Sequence, residues 1–182
     1  LIFATDELNL YAVNVKNGRK KWETEIDGRV ITAAPLILNN YIYFGCYSGT
    51  FYSLDADDGD IMWTYKTGGP IFSSPVAFNK SIMFGSGDGF IYSLEVNTGK
   101  LLWSFKTLKP VKVSPIVAFG NLIIADEYNV YAVNPSSGAL VWQSGLTGKV
   151  KTSPVMISDG VVLGLQNGEV VSVRNSIVQV VK

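Results

Sequence analysis

Chemistry in a chain of 182 residues needs side chains that can hold a metal, attack a carbon or move a proton, and this sequence offers few of them. It contains no histidine, so zinc sites of the Cys/His type and imidazole general bases are excluded within the chain. The single thiol, Cys46 in "FGCYSG", cannot form an internal disulfide. With no imidazole to activate it, it reads as a packed or loop residue rather than a nucleophile. One acidic stretch, "DADDGD" (55–60), sets oxygen ligands at alternate positions, as Ca²⁺ prefers. A calcium loop also needs a third ligand ahead of its glycine and a bidentate Glu at position twelve, where Lys66 stands. The stretch is therefore read as a solvated acidic turn, and no catalytic residue, metal or cofactor is assigned.

Fifteen acidic and fifteen basic residues cancel, which argues against nucleic acid or an anionic membrane as the main partner. Apolar runs such as "VVLGL" (161–165) fall far short of the ~20 residues a membrane helix needs, so no direct membrane insertion is expected. The opening "LIFAT" reads as the middle of a strand, as expected of a mature product or a piece of something longer.

The elements that must position any site come from an internal repeat. Trp22, Trp63, Trp103 and Trp142 are spaced by 41, 40 and 39 residues, and Gly18, Gly59, Gly99 and Gly138 keep the same step. Columns of Pro (35, 75, 115, 154) and Tyr (11, 52, 92, 131) run in phase with them. Within the unit at residues 71–107, short β-branched and aromatic runs alternate with "NK", "GSGDG" and "VNTG" turns. Four strands, A to D, are expected at about 73–78, 81–85, 90–95 and 100–106. The fold class is thus all-β: a β-propeller of four-stranded antiparallel blades, with about five blades' worth of repeats. The expected units are about 1–26, 27–67, 68–107, 108–146 and 147–182, in a single domain 1–182 whose first blade lacks its innermost strand. They form either a closed small propeller or a slice of a larger one.

The segments "AVNVKNGRKKW", "SLDADDGDIMW", "SLEVNTGKLLW" and "AVNPSSGALVW" share a small residue, a polar turn ending in Gly, and Trp four residues later. The glycine supplies the positive φ that turns strand C into strand D. The indole offers a broad apolar face with one N–H donor, suited to docking the outer strand on a neighbouring blade. These segments resemble the PQQ-like repeat, or tryptophan-docking motif, of quinoprotein dehydrogenase propellers and of an outer-membrane assembly lipoprotein. The fifth unit, "VVSVRNSIVQVVK", departs from the pattern, having neither Gly nor Trp. For the dehydrogenases, the resemblance implies a quinone at the centre of an eight-bladed ring, with Ca²⁺, an Asp base and an adjacent-cysteine disulfide. Here there is one Cys, too little chain for eight blades and no Trp outside the docking columns. The chain is accordingly not expected to be an enzyme. The resemblance implies a binding or scaffold module in an extracytoplasmic setting. The alternatives are an accessory propeller of a multidomain kinase or adenylating enzyme, and a dehydrogenase fragment.

In an A-B-C-D blade the D–A and B–C connections share one face. The D–A segments carry Arg29, Lys109, Lys112, Lys149 and Lys151, and the B–C turns carry Asp88, Asp126 and Glu127, with Asp6 and Glu7 in the first unit. With the aromatics Tyr47, Phe72 and Tyr128, these residues are the candidate interaction face for a protein or peptide partner, further domains of the same polypeptide included.

Overall fold

The computed structural model describes residues 2–4, 8–28, 33–174 and 177–181. Among them are nineteen strands in five antiparallel sheets and no helix. The first sheet has three strands, β1 (Ile2–Ala4), β2 (Asn9–Val13) and β3 (Lys20–Glu25). The second has β4 (Leu36–Leu38), β5 (Tyr41–Gly45), β6 (Thr50–Asp55) and β7 (Ile61–Lys66). The third has β8 (Val76–Phe78), β9 (Ser81–Gly85), β10 (Phe90–Glu95) and β11 (Leu101–Lys106). The fourth has β12 (Ile116–Ala118), β13 (Asn121–Ala125), β14 (Asn129–Val133) and β15 (Leu140–Gly145). The fifth has β16 (Val155–Ile157), β17 (Gly160–Gly164), β18 (Val170–Arg174) and β19 (Ile177–Val181). In every sheet sequential strands are spatial neighbours, the up-and-down order of a propeller blade.

Strand A is shorter than its sequence suggests, 76–78 rather than 73–78. Ser73 Oγ donates to Gly85 O at 3.0 Å and accepts from Gly85 N at 2.9 Å, so a side chain takes over the ladder position there. Pro75 has no N–H to extend the pairing. At the same end of the inner strands, just ahead of β8, β12 and β16, a chain of hydroxyls ties the third, fourth and fifth sheets together. Ser74 N donates to Ser114 Oγ (2.8 Å), and Ser114 N to Ser153 Oγ (2.9 Å).

Sheets pack face to face, and alternation along the strands decides what lies between them. Between the second and third sheets, Tyr43 and Phe51 meet Ile82, Phe84 and Leu94, with the Phe51 and Phe84 rings stacked 4.0 Å apart. The equivalent cores join sheets one to two, three to four and four to five. Among the described residues no such core joins the fifth sheet to the first, and Val155, Val170 and Val181 on the far side of the fifth sheet are exposed. Among the described residues one buried polar atom in these seams lacks a partner, Ser93 Oγ. Ala12 and Ala132 occupy the same repeat position. Ser93→Ala is therefore expected to raise stability by about 1 kcal/mol in urea denaturation, because it removes an unmet hydroxyl without opening a cavity. A loss of similar size would show that the hydroxyl has a partner.

Candidate functional site

In the first four sheets the C–D turn ends in a glycine with positive φ: Gly18 +68°, Gly59 +82°, Gly99 +68° and Gly138 +73°. Three of these glycines also receive an indole. Trp22 Nε1 donates to Ala56 O at 3.0 Å, Trp63 Nε1 to Val96 O at 3.2 Å and Trp103 Nε1 to Pro135 O at 3.1 Å. Each acceptor lies three residues ahead of the next sheet's glycine. A Cβ built on Gly59, Gly99 or Gly138 would fall 2.5–2.7 Å from the docked ring, whereas one on Gly18 would meet nothing within 4 Å. The acidic stretch 55–60 is therefore the socket of Trp22. Its carboxylates serve the turn itself, Asp55 accepting from Asp57 N and Asp58 from Asp60 N. Among the described residues no cluster of three or more metal-ligating side chains occurs.

The opposite end of the sheets carries the D–A and B–C connections together. Gly87 N donates to Pro70 O at 2.7 Å, Val150 N to Glu127 O at 2.8 Å and Gln166 N to Lys149 O at 2.7 Å. Three carboxylates on this face stand on a common plan. Asp88 accepts from Gly68 N, Phe90 N and Tyr92 Oη, the last at 2.7 Å. Asp126 is 2% exposed and accepts from Lys109 N, Tyr128 N, Asn129 N and Tyr131 Oη. Asp27 accepts from Thr50, Ser48 and Tyr52 and faces Lys66 at 3.4 Å. Burial alone would raise the Asp27 carboxyl, but the three hydroxyls and the lysine outweigh it and hold it at about 2. Burial, reinforced by the adjacent carboxylate, pushes the Tyr92 and Tyr131 hydroxyls upward, so they remain protonated donors. The in-phase tyrosine column thus braces the loops from below. Asp126 faces inward, away from any partner, and Asp88 is half-buried with its oxygens engaged.

What reaches solvent is different. Lys109, Lys112 and Lys151 are exposed and Lys149 is half-buried. Lys112 Nζ and Lys149 Nζ both contact the same oxygen, Glu127 Oε1, at 3.1 and 3.0 Å. The ammonium groups of Lys149 and Lys112 hold the Glu127 carboxyl below its usual range. One carboxylate shared by two lysines leaves a net positive patch. Tyr128, 45% exposed, stands beside it in sequence. Tyr47, 61% exposed, meets Phe72 edge to face at 6.0 Å, forming a separate aromatic step on the second and third sheets. Arg29, Asp6 and Glu7 lie outside the described residues.

Cys46 is fully buried, and burial, with the charge of Asp27 adding to it, pushes its thiol up to about 12. It packs in the seam between the first two sheets and is protonated at any physiological pH.

No curated protein matches the sequence. Among solved structures, the BamB of Moraxella catarrhalis superposes with a TM-score of 0.83 at 21% identity, covering 100% of this chain and 59% of that one. The computationally designed Ika8 protein gives 0.82 at 15% identity, covering 99% and 55%. A quinohemoprotein alcohol dehydrogenase from Pseudomonas putida HK5 gives 0.77 at 16%, covering 89% and 35%. The chain therefore spans between about a third and three fifths of these proteins, and the likeness establishes the propeller fold. The description "Outer membrane protein assembly factor BamB" matches residues 1–74 and 66–179, nearly the whole sequence. On that match, and on the indole-to-carbonyl seams that its repeats build, the chain belongs to the BamB family.

Proposed function

We propose that residues 1–182 act as one non-enzymatic propeller module that presents the loop face around Lys109, Lys112, Lys149 and Lys151 to an acidic segment of a protein partner, in an extracytoplasmic setting. The observation that carries this reading is the shared oxygen: two lysines on one Glu127 carboxylate keep positive charge in hand, while Asp88 and Asp126 are spent internally. Rigid presentation is the mechanism. Loops already pinned by Asp88, Asp126 and the tyrosines lose little freedom on binding, so the ordering cost of association falls mainly on the partner. The extracytoplasmic setting, and protein partners in general, follow the BamB-like family.

The test is a fluorescence titration with a labelled deca-glutamate peptide. Binding should weaken as salt rises, and Lys112→Glu with Lys149→Glu should weaken it at least about tenfold. Lys16→Glu with Lys21→Glu, which reverses exposed charges on the first sheet away from this patch, should leave it nearly unchanged. Equal losses from both pairs, or no binding at low salt, would overturn the assignment of the face.

A further inference from the structure

Three of the four indoles are capped alike, by a carbonyl for the N–H and a left-handed glycine under the ring. The fourth is not. In the fifth sheet Arg174 pairs directly with Ile177, so only two residues join β18 to β19, where the second sheet has the longer glycine turn between Leu54 and Ile61. Among the described residues Trp142 Nε1 has no hydrogen-bond acceptor. Its ring borders a cavity of about 120 Å³ between the fourth and fifth sheets, lined also by Phe119, Ile123, Asp159, Val161 and Val173.

A second, independent observation stands on the cavity wall. The A–B hairpins carry a left-handed residue at 39, 79 and 119, with φ of +49°, +52° and +51°. At the first two positions it is Asn, which tolerates that conformation; at the third it is Phe119. A bulky residue there is strained, and burial does not offset the strain, because Phe119 is 57% exposed. The fold thus holds an aromatic ring in an unfavourable conformation next to an indole whose donor meets no acceptor among the described residues.

We infer that this cavity is a socket for a glycine turn of a partner polypeptide. The three filled seams define the occupant's chemistry: a backbone carbonyl three residues ahead of a glycine in left-handed conformation. In the socket that carbonyl takes the Trp142 N–H, the glycine lies against the indole, and Phe119 walls the open side. The Arg174–Asp159 pair, 3.0 Å apart, offers both a donor and an acceptor to polar side chains of the turn. A side chain at the glycine position is excluded for the reason it is excluded at Gly99, a ring too close to the Cβ.

The test adds a cyclised peptide with the sequence of residues 134–139, Asn-Pro-Ser-Ser-Gly-Ala, to the full chain while the indole N–H resonances are followed. The resonance absent from Trp142→Phe should shift while the other three stay in place, with a dissociation constant of about 1 mM or tighter. The same peptide with Val for Gly should bind at least about tenfold more weakly. Phe119→Asn, which installs the residue found at positions 39 and 79, should keep the fold intact and weaken the glycine peptide by a similar factor. No shift at several millimolar, equal binding of the Gly and Val peptides, or full binding by Phe119→Asn each sinks the socket. A concentration-dependent Trp142 shift in the protein alone, abolished by Gly18→Val, would make the occupant a second copy and overturn the partner assignment.

Discussion

Gly99→Ala should destabilise the fold by roughly 3 kcal/mol, and Gly18→Ala by only about 1. The two glycines have the same φ, +68°, so an added methyl group carries the same backbone penalty at both. They differ in what the methyl group meets. At Gly99 it falls 2.5 Å from Trp63 Cε3, on a ring pinned by its hydrogen bond to Val96 and packed between Tyr43 and Phe51. The indole must leave its socket or the turn must back away, and either loses packing between the second and third sheets. At Gly18 there is open space. Urea denaturation of both variants, with the m-value watched for loss of cooperativity, gives the comparison. Equal losses would mean that the glycines are kept for their turn alone.

Trp103→Ala is expected to cost about 3–5 kcal/mol, the range for deleting a large aromatic from a packed site. The loss combines the apolar area of the ring with the hydrogen bond to Pro135 O, and it should increase amide exchange mainly in the third and fourth sheets, which that ring joins. Trp103→Phe should recover most of the packing and forgo about 1 kcal/mol for the bond. Trp142→Ala should cost clearly less than Trp103→Ala, since its ring already borders a void and its N–H has no acceptor among the described residues. If Trp142→Ala is as damaging as Trp103→Ala, the fourth seam is not the open one.

Much of this architecture was legible in the sequence because a forty-residue period repeats every local choice. The five sheets, the three strands described in the first and the strand positions at 81–85 and 90–95 follow from turn residues and alternation. The double duty of the turn glycine was not legible. Its positive φ is a local property, but its role as the floor of an indole socket depends on how one unit is rotated against the next. The candidate face was legible as a cluster and not as a set of roles. Asp126 and Glu127 are neighbours in sequence and both acidic, yet one is sealed beneath Tyr131 and the other is shared by two exposed lysines. The in-phase tyrosines were the available signal, since a phenol repeating beneath a carboxylate-bearing turn has a natural acceptor there. Asp27 could have been found the same way, through Tyr52. Phe119 shows plainly only in alignment of the A–B turns, where it breaks a run of asparagines.

The serine contacts along the inner strands have a mechanical consequence. A sheet attached at its inner margin by a hydroxyl 2.8–2.9 Å from the neighbouring amide, and at its outer margin by an indole, cannot swing about either margin alone. Where the third sheet meets the fourth, the inner spacer is a single side-chain oxygen and the outer one is a bicyclic ring, so the pair behaves as two tapered stones in an arch. The taper sets the curvature of the row. Lengthening the inner spacer or thinning the outer one would open that curvature, making the angle between these two sheets a property of Ser114 and Trp103.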